Sequence, residues 1–259
     1  MVMIKDDIED LREAKRLLEN PSLAAKISNL LGAAIGKGFE YLPKKWDLVV
    51  QKAAKLALEK ALSFAISTMN SRIKPASSDK FHKILTAATG AGGGSFGLPA
   101  LSIELPLTTT IMLRSVADIA RSEGENIDLV ETKLECLKVF ALGGPTTADD
   151  AAETGYFAVR ALLANSVSDA AKHIAEKGLS QKSAPAIVRF ISALASRFGI
   201  VVSEKVAAQA IPVIGGIGGL FINTVFMDHF QDMARGHFTV RRLERKYGKD
   251  PVRQEYDKL

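Results

Sequence analysis

Residues 46–69 read WDLVVQKAAKLALEKALSFAISTM, and this stretch decides the fold class. Trp46, Val49, Val50, Ala53, Ala57, Leu62, Ala65, Ile66 and Met69 recur at helical spacing and form one broad apolar face. Gln51, Lys52, Lys55, Glu59, Ser63 and Ser67 return every three or four residues on the other side. Alanine and unbranched side chains lose little freedom in a helix, so local preference and pattern agree along the whole segment.

The same period continues in both directions. Upstream, residues 6–20 form a charged amphipathic helix with Ile8, Leu11, Leu17 and Leu18 inward, ended by Asn20-Pro21 because the residue before proline disfavours helical geometry. Ser22 then caps a second helix through Leu23, Ile27, Leu30, Leu31 and Ile35, which Pro43 closes. Downstream, helices are expected over 80–89, 99–121, from Asp128 to the glycines at 143, 149–178, 184–198, 203–210 and 218–245, followed by a polar tail. Pro75, the glycines of 90–97, Gly143-Gly144-Pro145, Gly199 and Pro212 separate them. Asp128 and Glu131 have the spacing of a capping box. No stretch alternates as a strand does between turn signals. The expectation is an all-α fold, a single multi-helix domain with a central glycine-rich apolar helix pair. A helical arm occupies 1–43 and the main helical domain 44–259. The two halves are alike in outline, each with a glycine-rich stretch leading into a long helix. Duplication and shared packing demand explain that equally well.

With 259 residues, 47% hydrophobic and 24% charged, the chain has ample apolar material for one large core and too little net charge for disorder. The single cysteine, Cys136, excludes a disulfide framework and fits a reducing compartment. Acidic and basic residues crowd the first ten positions, leaving no room for a signal-peptide core, so a cytoplasmic protein is expected. The charge is unevenly placed: ten basic residues face four acidic ones over 37–83, and eight face four over 235–259.

Residues 206–227 carry no charge, and Gly215 and Gly219, Gly90 and Gly94, and Gly93 and Gly97 stand four apart. That spacing clears one face for close backbone approach. A buried core helix pair is the expected reading, and a segment that enters or lies on a membrane is the alternative for 90–113 and 206–227. Glu104, Arg114 and Asn223 are polar residues within these apolar surroundings, where a buried charge needs a partner. Glu104 with Arg114, or with Asn223, forms either a structural polar network or a ligand site with a shifted carboxylate.

The C-terminal run Ala210-Ile211-Pro212-Val213-Ile214-Gly215-Gly216, with Gly219, Ile222-Asn223, Phe226, Ala234, Phe238, Arg241-Arg242-Leu243 and Tyr247-Gly248, resembles the end of an EcsC-family protein. Gly97, Pro99, Glu104, Pro106, Arg114, Ile119-Ala120, Gly124 and Glu131 follow the same family's layout. Gly215-Gly216 replaces a small Gly-Ala pair, a mild departure. The resemblance covers most of the chain from about Trp46 onward. It implies a bacterial cytoplasmic helical protein, from a family named for a member encoded beside an ABC transporter. It implies no activity.

Function is therefore weighed on residues. Gly93-Gly94-Ser95-Phe96-Gly97 has the G-x-S-x-G pattern of a nucleophile elbow, but that device needs a strand before Ser95, and a helical segment stands there. Ser95 and Glu104 are the weak catalytic candidates. Gly92, Gly94 and Gly97 match a dinucleotide loop only in spacing, and no cofactor is expected. Asp169 with His173, and Asp228 and Asp232 around His229, have helical spacing for a carboxylate–imidazole set, but solvated faces and local ion pairs account for them, and no metal is expected. Lys52, Lys55 and Lys60, with Trp46 at the edge of the apolar face, suit anionic lipid head groups. Nucleic acid is set aside, since no nucleic-acid motif or interleaved aromatics accompany the lysines. The expected function is a non-enzymatic helical protein at the inner face of the cytoplasmic membrane, binding anionic lipid or an apolar ligand. The alternatives are a hydrolase or metal-dependent enzyme, and a protein–protein adaptor linked to a transport or secretion system.

Overall fold

The computed structural model describes residues 3–19, 23–31, 35–69, 97–144, 155–179, 184–211 and 218–259. Among them the chain forms α1 (Lys5–Leu18), α2 (Leu23–Leu31), α3 (Gly36–Glu40), α4 (Trp46–Thr68), α5 (Gly97–Ser122), α6 (Val130–Lys138), α7 (Gly155–Lys177), α8 (Pro185–Ala210), α9 (Gly218–Tyr247) and α10 (Lys249–Lys258). One 3-10 turn, Val139–Ala141, extends α6. The described residues contain no strand, and the fold is all-α.

The stretch that set the expectation is the inner helix of one layer. Val50, Ala53, Ala54, Ala57, Leu58, Ala61, Leu62 and Ala65 of α4 are buried between α5 and α8. Five of those eight are alanines, so neighbouring backbones come close without a void. Gly199 carries this closeness into α8. A Cβ there would lie 2.6 Å from the Gln51 amide of α4. The glycine is a contact point, and α8 runs through it unbroken instead of dividing into 184–198 and 203–210.

The other organising element is α9. Gln231 donates to Ser115 at 2.8 Å and Arg241 to Glu125 at 2.7 Å, both across 116 residues, so α5 and α9 run parallel in constant register. Arg242 with Asp10 and Lys246 with Asp7 place α1 antiparallel to α9. Tyr156 with His237 and Arg160 with Glu244 place α7 parallel to it. The core between α6, α8 and α9 is aromatic: Phe140 lies 5.3 Å from Phe198 and 5.1 Å from Phe230, ring to ring. Leu11, Ala14 and Leu18 of α1 belong to the same continuous core.

Three local expectations are corrected. The capping box does not form, because α6 starts at Val130 after an extended Leu129, and the Asp128 amide donates to Asn126 Oδ1. The single helix expected between Ser22 and Pro43 is described as two, α2 to Leu31 and α3 from Gly36, with 32–34 outside the described residues. The polar tail is helical, because Val252 and Tyr256, one turn apart, both bury. The expected caps and breaks at 20–22, the helix at 80–89 and the glycine runs of 90–96 and 212–217 lie outside the described residues.

Close approach also decides the α3–α8 contact, where a Cβ on Gly38 would strike the carbonyl of Ala207 while one on Gly36 meets open space. Gly38→Ala is expected to lower stability by about 1–3 kcal/mol through forced separation. Gly36→Ala is expected to change it by less than about 1 kcal/mol, in the stabilising direction. Chemical unfolding of the two variants checks the contrast.

Candidate functional site

Glu104 sits in the second turn of α5, and its partner is Lys205 of α8 at 2.7 Å. Lys205 is fully buried, with its ammonium 4.9 Å above the Phe226 ring of α9. The structure thus brings Glu104 to the α8–α9 contact but not to the partners expected for it. Arg114 is exposed and lies over the Phe64 ring at 5.6 Å, because the ten residues from Glu104, just under three turns of α5, leave it about a quarter turn round the helix from Glu104. Asn223, one turn before Phe226, has a buried Oδ1 that meets no hydrogen-bond donor among the described residues. Ser95 lies outside the described residues.

Sequence reading missed a larger buried polar centre between α6, α7 and α9. Tyr156 donates to His237 Nδ1 at 2.9 Å, and His237 Nε2 donates to Glu135 at 3.0 Å. Lys138, one turn on, completes an ion pair with Glu135, and Arg241 approaches the same carboxylate at 3.6 Å. Arg241 also forks onto Glu125, and Arg160 forks onto Glu244 at 2.7 and 2.8 Å. Three carboxylates thus meet three cations, and a neutral imidazole and phenol complete the set. Burial holds His237 down to about 3 despite the adjoining carboxylate, which keeps the ring neutral and its tautomer defined. Burial acts to raise Glu135, but Lys138, the His237 hydrogen bond and Arg241 outweigh it and hold that carboxyl well below its ordinary range. Burial raises the Tyr156 phenol and the Cys136 thiol, so both stay protonated and Cys136 is a poor nucleophile. The order Tyr–His–Glu has the form of a catalytic relay, but Tyr156 is enclosed by Phe157, Tyr256 and the Arg160 guanidinium. Its work here is to lock three helices in register. The sequence signal for it is confined to a histidine on the apolar face of α9, because Glu135 and Lys138 lie on a helix that reads as polar and whose burial only the fold shows.

Four cations of the C-terminal basic region are paired with distant carboxylates. Arg241, Arg242, Arg245 and Lys246 are bound by Glu125, Glu123, Asp10 and Asp7. The other basic region behaves differently. Lys44, Lys45, Lys52, Lys55 and Lys60 are all exposed and form no ion pair among the described residues. Trp46 turns inward against Phe39, 5.3 Å between rings, while Tyr41, Leu48 and Leu56 stand exposed beside the lysines.

The acid–histidine pairs are not assembled. Asp169 pairs with Arg189, and Asp232 with Lys26 and Arg235. His229 is fully buried, and among the described residues neither ring nitrogen has a hydrogen-bond partner and no group of three or more metal-type ligands occurs. One described helix, α8, is long and apolar enough to cross a membrane. Half of that apolar stretch is buried and the helix carries Glu204 and Lys205 in the core, which is how a core helix is built.

Two buried histidines set an acid limit on stability. Burial holds His229 down to about 4, with Lys26 adding to the shift, and His237 to about 3. An unfolded histidine takes its proton near pH 6.5, so below that pH the unfolded chain binds more protons than the fold does. Stability is therefore complete above about pH 6.5 and falls as pH drops toward 4, by up to about 1.4 kcal/mol per pH unit for each histidine. Thermal melts from pH 8 to 4.5 are expected to show a plateau and then this decline. His229→Leu is expected to remove roughly half of the slope between pH 6.5 and 4.5, since it removes one of the two sites.

No curated protein and no solved structure matches the chain significantly. A family model does: that of the EcsC protein family matches residues 9–243, from the first turns of α1 to the C-terminal part of α9. The register that α9 imposes on α1, α5 and α7 is thus contained almost entirely within the matched span, and the chain belongs to the EcsC protein family.

Proposed function

We propose that the protein acts without catalysis at the anionic inner face of the cytoplasmic membrane, which it engages through the outer face of α4. One observation carries the reading: Arg241, Arg242, Arg245 and Lys246 of the C-terminal basic region are paired with carboxylates from elsewhere in the fold, whereas Lys52, Lys55 and Lys60 share the exposed side of one helix and form no ion pair among the described residues. Leu48, Lys52, Lys55, Leu56 and Glu59 fall within one side of the helix, so its outer stripe alternates cations with leucines. Leu48 is 52% exposed, unusual for a leucine next to a well-filled core. Lysine side chains reach head-group phosphates while a leucine enters the acyl boundary.

At about 1 kcal/mol per lysine near an anionic surface, with one or two leucines partly inserted, attachment is on the order of 5–7 kcal/mol. That is reversible binding, as suits a peripheral protein. Sedimentation with phosphatidylglycerol vesicles at low salt is expected to pellet the protein, and phosphatidylcholine vesicles or high salt to release it. Joint replacement Lys52→Glu, Lys55→Glu and Lys60→Glu is expected to weaken binding at least tenfold with the melt unchanged. Binding indifferent to salt and to these charges, or no binding at all, contradicts the reading.

A further inference from the structure

We infer that Lys205 anchors a binding site for the acidic group of a single amphiphile, a phosphate or carboxylate bearing an acyl chain, and that Glu104 is the group this ligand displaces. The inference deepens the membrane reading and rests on it for the ligand's source. Lys205 has no exposed surface, and its ammonium lies against the Phe226 ring with Glu104 as its ion-pair partner among the described residues. A buried ammonium requires an anion, but that anion need not be this one. Glu104 is itself at the boundary, with 17% of its side chain exposed. Its helix neighbours Ile103 and Leu107 are exposed at 79% and 38%, Ile103 more than any other large apolar side chain described.

A cation in the interior is therefore closed off by a carboxylate set among apolar side chains that face outward. The third feature is Asn223, on α9 one turn before the ring that Lys205 covers, with a buried carbonyl oxygen that receives no donor among the described residues. A buried acceptor without a donor carries a desolvation cost that a ligand hydroxyl would relieve. The three requirements fit one kind of molecule. Its anion takes the place of Glu104 on Lys205, its hydroxyl serves Asn223, and its acyl chain lies over Ile103 and Leu107. Exchange of one carboxylate for another anion leaves Lys205 paired throughout, so the site can empty and refill without a bare charge in the core. Released Glu104 turns to solvent, which it already touches.

The test uses soluble, monomeric probes, so that it does not depend on a membrane surface. Dihexanoyl phosphatidylglycerol below its micelle concentration and octanoate represent phosphate and carboxylate, and dihexanoyl phosphatidylcholine is the zwitterionic control. Calorimetry on the full chain is expected to show binding of one or both anionic probes and none of the control; which anion binds identifies the source. Glu104→Gln removes the competing carboxylate. It is expected to melt lower than the parent, to bind the anionic probe at least tenfold more tightly, and to recover its melting temperature when the probe is added. Lys205→Met keeps the packed stem and is expected to abolish binding, and Asn223→Leu to weaken only the hydroxyl-bearing probe. Absence of binding to both parent and Glu104→Gln overturns the inference, as does equal binding by Lys205→Met. If Lys205→Met fails to fold, the probe-dependent melt of Glu104→Gln decides alone. Vesicles that pellet the protein while the soluble probes fail would sink this site and leave the surface reading standing; soluble binding without vesicle attachment would do the reverse.

Discussion

The fold depends on how α9 disposes of its polar residues. His237 is wholly buried, and it is stable there only because Tyr156 gives it a proton to accept and Glu135 accepts the one it donates. Glu135 in turn requires Lys138 and Arg241, and Arg241 requires Glu125. The partners come from α6, from α7, from α9 itself and from the turn just after α5, so the chain of contacts ties these elements to α9. A buried network of this kind contributes modestly to net stability, since desolvation offsets much of the attraction. Its larger effect is on register: sliding α9 by one turn would leave several charges unpaired in the core at once.

That arrangement also decides what the surface offers. The arginines and lysine of α9 look, on composition, like an anion-binding strip, but they are spent on Glu123, Glu125, Asp7 and Asp10. The buried faces of α4 have the opposite economy. They are made of alanine, valine and leucine, so the α4 lysines find no carboxylate partner among the described residues and stand on the outside. Lys205 and Glu104 stand between these cases, a buried cation held by an anion at the margin.

Much of this was legible from the chain. The period of 46–69 and the exposure of Lys52, Lys55 and Lys60 follow from spacing alone. What escaped reading depended on partners distant in sequence. Gly199 has the appearance of a helix end until Gln51 is seen against it, and Tyr256 that of a tail residue until Tyr156 and Phe157 are seen beneath it. Glu104 was recognised as a residue needing a partner, but Lys205 was overlooked because it sits in a helix that otherwise reads as apolar. Arg114 was placed in the interior because its helix is apolar on average, whereas the turn of the helix carries it outward.

Membrane attachment through α4 requires that the face left free by the internal pairing is the face that meets lipid. Cys136 is fully buried, so an environment-sensitive fluorophore can be attached selectively at Leu48→Cys or at Leu162→Cys, positions 52% and 70% exposed in the parent. With phosphatidylglycerol vesicles, a blue shift and brightening are expected at position 48 on α4, and an unchanged spectrum at position 162 on α7. A shift at 162 alone, or an equal shift at both, would contradict the assignment of α4 as the membrane face.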